Sequence, residues 1–306
     1  MQRFILIRAG YSLLALWVIS VIIFSLIRVS GSPVDALLPT DATVQDRLRL
    51  EKYWGVGQPL HQQYFQYVAN IFRGNFGESF KWKGLTTRDL ILERIPATAQ
   101  LAGVALLISV AIALPVGVLA AVKKDAVLDH GARVIALLGQ SLPSFWLAII
   151  LIWIFAVIMG VLPTSGRGGV KHLILPAISL GLFQVAALMR LIRSSMLEVL
   201  DSEYVKLARI KGLPEWKVVW KHCLRNAAIA PLTYFGVVSA ALLTGSVVVE
   251  TVFAWPGLGL LALEAVRARD YAVVQTVILL FATIYIACNL AVDIMYAYLN
   301  PRIRYT

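Results

Sequence analysis

The sequence predicts an all-α integral membrane protein with six transmembrane helices. Of its 306 residues, 59% are hydrophobic and only 15% charged, with a mean hydropathy of +0.77. That is too apolar for an ordinary soluble domain and calls for several spans. Its apolar runs are of the length that crosses a hydrocarbon core of ~30 Å. The formal net charge of +11 comes with Lys and Arg gathered at one end of those runs. The bias that orients spans in the membrane explains much of this charge, and no nucleic-acid partner is needed for it.

Residues 4–29 form the first run, preceded by Arg3 and Arg8. It is longer than a signal-peptide core and no small-residue cleavage site follows promptly, so it reads as a first span with a cytoplasmic N-terminus. Residues 30–96 are the one long polar segment, expected outside. Trp54-Gly-Val-Gly-Gln-Pro-Leu60 and Gly74-Asn-Phe-Gly-Glu-Ser-Phe80 mark turns in it, with short helices expected over 44–53 and 60–72. Its basic residues do not oppose that placement, because long loops cross largely regardless of charge. His61 and scattered acids are too little for a catalytic domain.

The second span, 97–122, contains Pro115 and ends at Lys123 and Lys124. The third, 134–161, carries Pro143 within Gln-Ser-Leu-Pro-Ser-Phe-Trp146. A proline inside a span frees backbone groups that neighbours or a watery cavity must satisfy. Gln140, Ser141 and Ser144 are therefore candidate pathway residues, joined by Gln184 of the fourth span; a simple packing kink is the alternative. The fourth span covers 173–189 and the fifth 227–249. The fifth is lined with small residues from Gly236 to Ser246 that permit close helix packing. A turn at Phe253-Ala-Trp-Pro-Gly-Leu-Gly259, placed outside, could dip back toward the membrane. The sixth span, 271–299, leads to a cytoplasmic C-terminus. Its Asp293 is the clear ionisable exception within the spans, and a local pair with a cytoplasmic Arg accounts for it better than an ion site.

Residues 190–226 form a basic island on the cytoplasmic side. Tyr204, Ala208 and Lys211 fall at i, i+4 and i+7 and share one helical face. Gly212 supplies a helix stop and Pro214 suits the start of a second helix. In that helix Trp216, Val219, Trp220, Cys223 and Leu224 make one apolar stripe, with Lys217, Lys221 and Arg225 away from it. The result is a helix–glycine–helix hairpin on a membrane surface. An amphipathic helix lying against anionic lipid is the alternative reading.

Glu203, Ala208 and Gly212, within Glu-Tyr-Val-Lys-Leu-Ala-Arg-Ile-Lys-Gly, resemble the EAA loop of ABC-importer permeases. Tyr204 and Val205 replace the two alanines that name the motif, which looks like the peptide-permease branch. Further runs are similar to the dipeptide/oligopeptide/nickel permease family: residues 74–79, Glu-Arg-Ile-Pro-Ala-Thr (93–98), 141–146, Leu-Pro-Thr-Ser-Gly (162–166) and Ile-Leu-Pro-Ala (174–177). Others are Val-Glu-Thr-Val-Phe-Ala-Trp-Pro-Gly-Leu-Gly (249–259), Arg-Asp-Tyr (269–271), Asn-Leu-Ala-Val-Asp-Ile-Met-Tyr (289–296) and Asn-Pro-Arg-Ile-Arg-Tyr (300–305). Their order fits the first of the family's two paired permeases.

The resemblance implies a type I ABC-importer permease fold in a bacterial inner membrane. It implies a coupling hairpin in which Asp201, Glu203, Tyr204, Ala208, Lys211, Gly212 and Leu213 meet an ATPase subunit. It also implies a second homologous permease, two ATP-binding subunits and an external substrate-binding protein. Peptides are the expected cargo; a nickel chelate, glutathione or an opine-like solute is the alternative.

Several chemistries are excluded or disfavoured by what the residues lack. There is no Gly-x-x-x-x-Gly-Lys-Ser/Thr loop, so ATP and Mg belong to partner subunits and no cofactor is expected here. An ion-coupled carrier is disfavoured because it usually needs an acidic or His relay within the spans. His61, His130, His172 and His222 are isolated, against a membrane-embedded enzyme. Cys223 and Cys288 suggest neither a disulfide framework nor a thiolate metal site.

Overall fold

In lipid each backbone polar group must be satisfied within the protein, and helices are how a chain with this pattern does it. The computed structural model describes residues 2–29, 34 and 43–299, and there it is helical with one isolated bridge, Glu78 to Thr86. Among the described residues four helices are long and apolar enough to cross a membrane: α1 (Gln2–Val29), α4 (Thr87–Val122), α7 (Val170–Leu200) and α13 (Tyr271–Leu299). Between the first two lie α2 (Val44–Trp54) and α3 (Leu60–Phe72). Two bent pairs complete a possible six: α5 (Val127–Ser141) with α6 (Ser144–Ile158), and α9 (Glu215–Ala227) with α10 (Ile229–Leu243). Short helices α8 (Glu203–Ile210), α11 (Val247–Val252) and α12 (Leu258–Arg267) fill the remainder.

The centre is the pair α4 and α7. A Cβ on Gly117 would sit 2.9 Å from the Met189 carbonyl, and one on Gly181 would sit 3.0 Å from the Ala105 carbonyl. Ser109 Oγ donates across the pair to the Gly181 carbonyl at 3.0 Å. Contact positions advance together along both helices, so the two run parallel. By the same reasoning α1 and α13 are antiparallel. Arg8 pairs with Asp293 at 3.0 Å near one end, and Ile23 and Ile27 pack with Ala272 near the other. Asp293 is thus held by a basic partner on a neighbouring helix.

Several boundaries differ from the expected ones, each for a local reason. α4 starts at Thr87, ahead of Pro96, because Thr86 caps it by accepting from the Asp89 N–H at 3.2 Å. The third run breaks, bending by 102° between α5 and α6. Leu142 is extended (φ −88°, ψ 126°) because the following proline disfavours the helical region. Each half has 15 residues, ~22 Å of helix, too short to cross alone. α7 continues past Arg190 and Arg193 to Leu200. The fifth run ends early at Leu243, where Gly245 (φ +91°) turns the chain into α11.

The 253–259 turn is buried rather than loose. Trp255 Nε1 donates to the Ala97 carbonyl at 2.8 Å. Glu250, fully buried, accepts from Thr98 Oγ1 at 3.0 Å and the Leu260 N–H at 2.9 Å. A Cβ on Gly257 would lie 2.5 Å from the Glu250 carboxyl. Runs 93–98 and 249–259 therefore interlock. Runs 74–79 and 269–271 do the same: buried Asp270 accepts from Ser79 Oγ at 2.5 Å and from the Phe80 N–H at 2.9 Å. The run 300–305 lies outside the described residues.

Candidate coupling hairpin and translocation pathway

The hairpin begins where α7 ends. Asp201 closes α7, and Ser202 Oγ turns back to donate to the Val199 carbonyl at 2.6 Å. α8 ends in a Schellman closure: the Gly212 N–H reaches the Arg209 carbonyl at 2.9 Å and the Leu213 N–H reaches the Ala208 carbonyl at 3.3 Å. That closure needs a left-handed residue, and Gly212 supplies it at φ +75°. Pro214 then stands at the start of α9 with φ −63° and ψ 139°. Arg209 grips Glu215 across the turn at 3.2 and 2.7 Å. The guanidinium holds the Glu215 carboxyl below its ordinary range and raises the Arg209 pKa in turn.

The expected face of Tyr204, Ala208 and Lys211 is divided. Ala208 is buried with Val205 against Met196, Val218 and Cys223, while Tyr204 and Lys211 remain exposed. The outward apolar residues of α8 are Tyr204 (43% exposed), Leu207 and Ile210 (81%). The reason is spacing: Val205 and Ala208, three apart, take the inward side, so position 204 is rotated away. Tyr204 accepts from Asn226 Nδ2 at 2.8 Å, fastening α8 to the end of α9. Glu203 pairs with Lys206 at 2.8 Å on the open side, and Leu213 packs partly buried against the core.

The apolar stripe of α9 also divides. Residues Val218–Cys223 wind as a π-helix, which widens the turn. Val218, Val219 and Cys223 all face inward, whereas Trp216 and Trp220 are exposed at 64% and 40%.

Behind the hairpin sits a buried carboxylate that motif reading overlooked. Asp129 of α5 is fully buried and accepts from Arg193 Nε at 2.5 Å and Nη2 at 2.8 Å. Arg133 and the Asp125 N–H bind it too. This network ties α5 to α7 about two turns before the hairpin. The i, i+4 spacing of Asp129 and Arg133 was the available signal.

Gln140, Ser141, Ser144 and Gln184, selected around the Pro143 break, line one cavity of about 330 Å³ at that break. Tyr234 donates to Gln184 Oε1 at 3.2 Å. A second cavity of about 420 Å³ shares Gln140 and is rimmed by Lys124, Arg133, Arg190 and Arg193. Gln140 is the residue the two cavities have in common. Among the described residues no cluster of three His, Cys, Asp or Glu is placed to hold a metal.

A bundle of apolar helices with a hydrogen-bonded hairpin at one end defines a multi-pass membrane protein. Two family models match: "Binding-protein-dependent transport system inner membrane component" over residues 113–305, and its N-terminal counterpart over residues 1–102. The chain belongs to that family. It is similar to the di/tripeptide transport system permease protein DppB of Pseudomonas aeruginosa at 40% identity, covering 100% of this chain and 99% of that one. The dipeptide permease DppB of Escherichia coli is 36% identical with the same coverage, and the oligopeptide permease AppB of Bacillus subtilis is 34% identical with 100% of both covered. Among solved structures, the inward-facing MetNI methionine ABC transporter matches with a TM-score of 0.58 and 20% identity over 69% of this chain and 96% of that one. An amino acid ABC transporter solved with histidines gives 0.52 and 16%, over 70% and 94%. These two establish the fold, a type I importer permease. The chain is a permease subunit, the non-catalytic membrane component of an ABC transporter, and works with ATPase and binding-protein components.

Proposed function

We propose that this chain forms half of the translocation pathway of an ATP-driven importer of di- and oligopeptides. The observation that supports this most is similarity over the whole chain, at 34–40% identity, to permeases named for peptide transport. In this reading both termini and the α8–α9 hairpin face the cytosol, and residues 30–96 face outside. A second, homologous permease completes the pore, and two ATP-binding subunits carry ATP and Mg. Their closure draws the hairpins together, and a rigid-body swing opens the cavity outward to receive peptide from the binding protein.

On the hairpin, Tyr204, Lys211 and Glu203, with the exposed Leu207 and Ile210, meet the ATPase. Asp201, Ala208, Gly212 and Leu213 shape that surface from within. Gln140, Ser141, Ser144 and Gln184 line the path; each offers hydrogen bonds without charge, which suits peptides of varied side chains. The test is to purify the cognate binding protein with its native ligand, identify that ligand, and measure its ATP-dependent uptake by the reconstituted complex. Bound peptides and their uptake are expected. A nickel chelate, glutathione or an opine as ligand, with no peptide uptake, would replace the cargo and leave the transport class intact.

A further inference from the structure

We propose that α3 is an interfacial helix, seated in the leaflet at the Val29 end of α1, with its Phe65–Phe72 side covered by phospholipid acyl chains. The side chains of α3 divide two ways. Tyr64 and Tyr67 turn to α1, their ring centroids 5.3 and 5.9 Å from that of Phe24. Phe65 and Phe72, seven residues apart and so on one helical side, are 67% and 86% exposed. Large rings left open together, on a helix already packed by its other side, call for a cover.

The depth of α3 identifies that cover. The first span, residues 5–29, has 25 residues, and a hydrocarbon core takes ~20. Wherever the core is placed along it, residues of about 10–24 lie inside, Ser20 and Phe24 among them. Ser20 Oγ gives its proton to the Trp17 carbonyl at 2.7 Å, so Tyr64 is the donor in the 2.7 Å bond between the two hydroxyls. Each hydroxyl is thereby satisfied without water, as that depth requires. The sixth span gives the same level from the other side. Its 25 residues, 271–295, keep about 276–290 inside the core. Tyr67 and Ile71 of α3 line one cavity with Thr276 and Leu279 of that span. Gln63 instead accepts from Arg28 Nε at 2.8 Å, in the last turn of α1. α3 thus lies across α1 at the border of the core. The Phe65 ring, 6.3 Å from that of Tyr64, opens away from α1 at this level, and Phe72 adjoins Ile71. At that depth the neighbour is lipid. α3 contains no Asp, Glu, Lys or Arg, so the contact is with acyl chains and carries no headgroup preference. That this leaflet is the outer one rests on the topology proposed above.

The experiment uses the complete transporter in lipid nanodiscs, freed of other cysteines (Cys223→Ala and Cys288→Ala in this chain). Spin labels are placed at Phe65→Cys, at Phe72→Cys and, as the reference, at Lys83→Cys on an exposed turn. Collisions with oxygen and with a water-soluble nickel chelate report each label's depth. Labels at 65 and 72 should lie ~5–10 Å below the headgroup boundary, and the one at 83 in water. Benzoylphenylalanine in place of Phe65, which needs no cysteine, should gain the mass of a phospholipid on irradiation. Water-like labels at both positions, labels that neither reagent reaches, or an adduct with the binding protein, the second permease or this chain itself would overturn the proposal. A reporter within residues 41–70 that reads cytoplasmic would overturn the topology, whereas lipid-depth labels would still uphold the contact, now in the opposite leaflet.

Discussion

Gly212 shows how much one residue's backbone can decide. No atom lies within 4 Å of where its Cβ would be, so a side chain there meets open space and the whole penalty is conformational. Gly212→Val should introduce ~1–3 kcal/mol of strain by forcing a β-branched residue to a positive φ. Insertion and substrate capture should persist while substrate-stimulated ATPase activity is lost; Gly212→Asn, which tolerates that region, should keep most of it. Normal stimulation in Gly212→Val would mean the hairpin is only a membrane-surface element. Asp129 makes the opposite case, where the side chain is everything. Arg193→Met leaves the buried Asp129 carboxylate to Arg133 and the Asp125 N–H alone and should cost ~1.5–3 kcal/mol, lowering the unfolding temperature of the complex. Adding Asp129→Asn should restore much of it; no recovery in the double variant would show that Arg193 acts elsewhere. Gly212 was legible because chain direction must change there and few residues permit it. Asp129 escaped because an acid near a helix start with an Arg four residues on looks like a surface pair until its partner Arg193, 64 residues away, is known. Ala208 shows the limit of spacing alone: three residues share a face, but which face turns inward is settled by Val205.

At the level of elements, α4 and α7 meet through backbone, and glycine makes that possible. Gly117→Ala would press a methyl to 2.9 Å from the Met189 carbonyl and 3.0 Å from Ile192. The helices must separate, at an expected cost of ~1–3 kcal/mol. Gly103 on the same helix has nothing within 4 Å, so Gly103→Ala should be neutral or stabilising by up to ~1 kcal/mol. Thermal unfolding of the two variants side by side checks this; equal loss in both would indicate helix propensity and not packing. The long helices and the two short ones over 44–54 and 60–72 could be read from periodicity and turn residues. The breaks at Pro143 and Gly245 could not be ranked from sequence, since Pro96, Pro115 and Pro176 are accommodated inside helices. In the small-residue run of 227–249, a Cβ on Gly236 would overlap Val292 and one on Gly245 would lie 2.9 Å from Gly259, so both glycines serve contacts within the chain.

For the whole molecule, the parallel and antiparallel pairings constrain topology: α4 and α7 run in the same sense, while α13 opposes α1. A reporter fused after Lys124, after Gly212 or at Thr306 should therefore read cytoplasmic, and one within residues 41–70 external. An external signal at Gly212 would place the hairpin beyond reach of any ATPase and end the coupling proposal. α7 adds a mechanical point. Its 31 residues, ~46 Å at 1.5 Å each, form one unbroken rod from the Gly169 turn to Leu200, clasped to α4 by Ser109 and to α5 by Arg193. Its one proline, Pro176, lies beyond the Gly181 clasp, so the stretch from Gly181 to Leu200 is the stiff part. Leverage applied near Leu200 should therefore reappear at the Gly181 clasp, with bending left to the Pro176 end.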